Sequence, residues 1–70
     1  MDIAHLVKMA NEIGAFFASE PDPAVGARAV SDHLRRYWEP RMRTAIVAHA
    51  GAGGVGLTPI ARQAVLLLES

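Results

Sequence analysis

Thr44-Ala45-Ile46-Val47-Ala48-His49-Ala50-Gly51-Ala52-Gly53-Gly54-Val55-Gly56 is the stretch that decides the fold, because it reads in two ways. Gly51 to Gly56 matches G-x-G-x-x-G, the run from Thr44 to His49 passes for a strand, and a helical segment follows. Those are the local marks of a dinucleotide site, where glycines let the backbone approach a pyrophosphate at a helix N-terminus. The alternative makes Thr44 to Ala50 the end of a helix and the glycines a flexible connector to the next one. Length separates the two. Only fourteen residues follow Gly56 in a chain of 70. That is too few for the second strand of a βαβ unit, and no acidic residue stands about twenty positions on to hold a ribose. The helical reading therefore stands. A reduced anion reading stays open: amides at Thr58 to Ala61 open a helix and could meet a phosphate of a partner's ligand. Its candidate contacts are Gly53, Gly54, Gly56 and Thr58.

Working outward, Thr58 as cap and Pro59 as first residue open a helix over Pro59–Glu69. Only Arg62, Gln63 and Glu69 are clearly polar in it, and Leu66 projects between Arg62 and Gln63. A helix apolar nearly all round is normally buried, and three other short helices are expected to leave part of it for another molecule to cover. Upstream of the glycines a short helix is expected from Pro40 to about Ala50, with Met42, Ala45, Ile46 and His49 inward and Val47 outward. Pro40 forces a break before it, since its ring disfavours helical geometry at Glu39.

Asp22 and Pro23 start another helix. Ala27, Val30, Leu34, Tyr37 and Trp38 share its apolar face. Arg28, Asp32, Arg35 and Arg36 share the opposite one, with Asp32 three or four residues from each arginine. From Asp2 to Ser19, Ile3, Leu6, Val7, Ala10, Ile13, Gly14 and Phe17 recur at helical steps, with Met9 and Phe16 at the flanks. Gly14 lies inside this stripe, where a missing side chain lets another helix come close. The expectation is an all-α fold, a small bundle of four short helices, forming one domain over residues 1–70.

A chain this short buries only roughly 60% of its unfolded surface, and small domains commonly add disulfides, metals or a partner subunit. There is no cysteine, which excludes disulfides, iron–sulfur clusters and thiolate zinc sites. Apolar residues make up 51% of the chain, more than a lone small domain easily hides, so association is the support that remains. Seven basic and seven acidic side chains cancel, leaving no overall field for nucleic acid or anionic lipid. No apolar run approaches the roughly 20 residues of a membrane span. The chain opens Met1-Asp2-Ile3 without the marks of a secretory signal, so the expected location is the cytoplasm.

Arg35, Arg36, Tyr37, Trp38, Arg41 and Arg43 mix cations with aromatics, as single-strand binders do. Tyr37 and Trp38 are expected to face away from Arg35 and Arg36, which favours a packed anchor beside a polar rim, a composition typical of protein interfaces. His5, His33 and His49 fall on three different helices without paired metal spacing. No serine sits in a nucleophile elbow and no carboxylate pair lies on an apolar face, so no catalytic residue is assigned.

Three blocks are familiar together: Leu6-Val-Lys-Met-Ala-Asn-Glu-Ile-Gly14 with Phe16-Phe17, His33-Leu-Arg-Arg-Tyr-Trp-Glu-Pro-Arg-Met-Arg43, and Gly53-Gly-Val-Gly-Leu-Thr-Pro-Ile60. In these the chain resembles the delta subunit of the soluble, molybdenum-containing, NAD-dependent formate dehydrogenases. The resemblance runs over nearly the whole chain, with Trp38 to Arg43 its most specific piece and Tyr37 where an aromatic, often Phe, is expected.

It implies a small accessory subunit of a cytoplasmic complex that oxidises formate and reduces NAD. The molybdenum guanine dinucleotide, iron–sulfur clusters, FMN and NAD site belong to the other subunits, and this chain carries no cofactor. The implied partner is the large catalytic subunit, which the chain supports in assembly or stability, with self-association when isolated left open. Phe16, Trp38, Arg41, Arg43, Val47 and Leu66 are the candidate partner contacts. Two alternatives remain at this point: an assembly factor touching the guanine dinucleotide through the glycine loop, and a small nucleic-acid-binding protein.

Overall fold

The computed structural model describes residues 2–69, and all of its regular structure is helical. The elements are α1 (Ile3–Phe17), α2 (Pro23–Tyr37), α3 (Pro40–Gly51) and α4 (Pro59–Leu68). The stretch from Thr44 to Gly51 is helix, as the length argument requires.

Each start follows local chemistry. The Ala4 N–H donates to Asp2 Oδ1 at 2.9 Å and the Ala24 N–H to Asp22 Oδ1 at 3.0 Å. The Ala61 N–H donates to Thr58 Oγ1 at 3.4 Å. Each bond satisfies a first-turn amide that the helix itself cannot. Prolines occupy the first turn of α2, α3 and α4, where a missing donor costs nothing. Glu39 ahead of α3 is extended (φ −66°, ψ 152°) and makes no side-chain cap. Proline geometry alone sets that boundary.

α4 packs on all three other helices, most extensively on α2. The core joins Leu6 and Ala10 of α1 to Val30, Leu34 and Trp38 of the α2 end. Ile46 and Ala50 of α3, Leu57 of the loop, and Ala61, Ala64 and Val65 of α4 complete it. The radius of gyration is 10.6 Å, against roughly 11 Å expected for a folded domain of this length.

At Gly14 the missing side chain leaves room for α4. A Cβ built there would lie 2.8 Å from Ile60 Cγ2, and one at Gly26 would lie 3.2 Å from Ile60 Cδ1. Ile60 thus enters a slot between two glycines on different helices, and that slot lets α4 sit down on α1 and α2.

Three expectations need correction. α4 does not await an outside cover: Ala61, Ala64 and Val65 are fully buried, Ile60, Leu67 and Leu68 half-buried, and Leu66 alone among its apolar residues is exposed. Small alanines let the neighbouring helices close over it. Tyr37 is not on the core face, being 67% exposed. At ~100° per residue it stands roughly 70° from the centre of the Ala27–Val30–Ser31–Leu34 stripe, while Trp38 stands only about 30° from it. Val47 is not outward either. It packs half-buried against the core, because α3 lies between α1 and α4 and both flanks of Ile46 are covered.

Candidate functional site

The glycine-rich loop is tied down rather than free. α3 ends in the paired bonds of a Schellman motif: Gly54 N–H donates to His49 O at 2.9 Å and Gly53 N–H to Ala50 O at 3.2 Å. Glycines supply the positive φ this needs, +115° at Gly53 and +62° at Gly54. Three side chains then fasten the loop. His49 Nε2 sits 2.8 Å from Val55 O. The Arg62 guanidinium donates to Gly53 O at 3.1 Å and to Gly54 O at 3.2 Å. Asn11 bridges the loop to α1, donating to Gly56 O at 2.9 Å and accepting from Thr58 N–H at 3.0 Å.

This has a direct bearing on Gly53, Gly54, Gly56 and Thr58 as phosphate contacts. An anion cradle needs amides aimed outward. Here the amides of Gly53, Gly54, Leu57, Thr58 and Ala61 already donate within the chain. Gly54 is buried under the Arg62 guanidinium, 2.8 Å from where a Cβ would stand. The loop is built as a joint between α3 and α4.

The arginines separate into two kinds. Arg43 donates to Trp38 O at 2.7 Å and to Arg35 O at 3.1 Å, satisfying carbonyls at the end of α2. Arg35 donates to Leu67 O at 2.6 Å and lies 4.0 Å from Asp32. These two fasten helix ends to one another. Arg36 and Arg41 are exposed and have no hydrogen bond or ion pair among the described residues. Trp38 is only 6% exposed. Arg35, Trp38 and Arg43 of the mixed cation–aromatic run are therefore committed to the fold, while Arg36, Tyr37 and Arg41 stay at the surface.

The six candidate contact residues do not gather on one face. Trp38 is core and Val47 packs against it. Arg41 borders a shallow hollow with Ile3, Leu6 and Thr44. Arg43 and Val47 border a groove of about 700 Å³ with Arg35, Pro40 and Leu68. Leu66 is 44% exposed on the outside of α4, and Phe16 is 78% exposed at the end of α1.

Sequence reasoning missed a different gathering. The Phe16 and Phe17 rings meet edge to face at 5.1 Å, and the His33 and Tyr37 rings lie 4.8 Å apart. Phe17 shares a hollow of about 240 Å³ with His33, Arg36 and Tyr37. The exposure of Phe16 was legible in its flanking position; that of Tyr37 was obscured by placing it on the core face.

Two further residues escaped the sequence reading. Asn11 gives no signal, since its two partners lie 45 and 47 residues away. Ser31 is 1% exposed, and its hydroxyl has no hydrogen-bond partner. It sits between Val30 and Leu34 on the buried stripe, where only a small residue lets α4 approach.

Among the described residues no group of three or more His, Asp or Glu side chains is placed to hold a metal ion. Nor is any helix long and apolar enough to cross a membrane. No curated protein and no solved structure matches the chain. A family model does, over residues 5–65, which takes in all three familiar blocks, the glycine loop with Asn11 and Arg62, all of α2 and α3, and most of α1 and α4. The chain belongs to the family of the NADH-dependent formate dehydrogenase delta subunit FdsD.

Proposed function

We propose that the chain is a non-catalytic accessory subunit that docks on the large catalytic subunit of a cytoplasmic formate dehydrogenase and supports its assembly or stability. The observation that carries this is what remains outside. After the core closes, Ile3, Phe16, Val25, Tyr37, Val55 and Leu66 are still exposed. Six exposed large apolar side chains on so small a domain leave apolar surface for a partner to cover. Aromatics are prominent among them, as at protein interfaces. The chemistry stays with the partner: without cysteine this chain offers no thiolate for an iron–sulfur cluster, and Arg35, Arg43, Arg62 and the glycine loop are turned to internal bonds. Molybdenum guanine dinucleotide, iron–sulfur clusters, FMN and NAD accordingly sit on the other subunits.

The test is to produce the formate dehydrogenase with and without this chain. Omission should reduce the yield of assembled enzyme, or its thermal stability, while turnover per fully loaded enzyme stays unchanged. Equal yield, equal stability and altered turnover would mean the chain takes part in the reaction.

A further inference from the structure

No further inference is drawn: the strongest candidate, the uncharged outer face of α3 at Pro40, Thr44 and Ala48 with the hollows on either side of it, is a stripe of small residues edged by charges of both signs, and nothing in the structure shows what covers it.

Discussion

Replacing Gly14 by alanine probes the step on which the packing depends. In an ordinary helix interior Gly→Ala stabilises by about 0.8–1 kcal/mol, because alanine has less backbone freedom to lose. At Gly14 the new Cβ would stand 2.8 Å from Ile60 Cγ2, whereas carbon atoms pack best at roughly 3.5–4.0 Å. Ile60 cannot simply swing away. Its Cγ2 is attached to Cβ and moves only with χ1, which a helix holds to one preferred well. The other arm of the side chain is confined at Gly26, 3.2 Å from where a Cβ would be. α4 must therefore retreat by a good fraction of an ångström, an overpacking that costs about 1–3 kcal/mol. Taking the upper half of that range, the net effect is a loss of about 1–2 kcal/mol. For a domain of this size that lowers Tm by roughly 5–15 °C.

Thermal unfolding followed by circular dichroism reads it directly, and a double-mutant cycle isolates the contact. In an Ile60→Ala background the obstructing methyl is gone, so Gly14→Ala should there raise Tm as it would in any helix. A higher Tm for Gly14→Ala alone would refute the close approach of α4 to α1.

Three other substitutions test separate parts of the account. Trp38→Ala removes the ring that joins the end of α2 to the core and should cost about 3–5 kcal/mol, enough to unfold a marginal domain; unchanged urea melting would deny it that role. Ser31→Ala removes a buried hydroxyl that has no partner and should raise stability by about 1 kcal/mol, so a clear loss would reveal a hydrogen bond to that oxygen. Arg62→Ala takes away the two bonds that this side chain makes to loop carbonyls at a cost of about 1–2 kcal/mol. Hydrogen exchange at Gly54 and Leu57 should quicken first, and unaltered protection there would mean the guanidinium does not hold the joint.

The helices were legible because their boundaries are written in single residues. Asp22-Pro23, Glu39-Pro40 and Thr58-Pro59 each open a helix where their chemistry requires. The close approach at Gly14 was legible too, since a glycine inside an apolar stripe has few other uses. What was not legible depends on neighbours in space. Tyr37 and Trp38 are adjacent and both aromatic, and only the direction of α4 decides which of them goes inside. Val47 looked outward from the phase of α3 alone, and α4 covers that side. The glycine loop looked like loose connector because its fasteners, Asn11, His49 and Arg62, are dispersed along the chain and carry no common motif. The aromatic face was hidden for the same reason: Phe16–Phe17 and His33–Tyr37 belong to different helices, and periodicity within one helix says nothing about which pairs meet.

Native mass spectrometry of formate dehydrogenase purified through a tag on its large subunit, produced with this chain alongside, tests the central claim most directly. The account predicts an enzyme heavier by 7.5 kDa for each bound copy of the chain, which dissociates intact and carries no metal or flavin. An enzyme of full mass and full stability without the chain, or a released chain bearing a redox group, would contradict it.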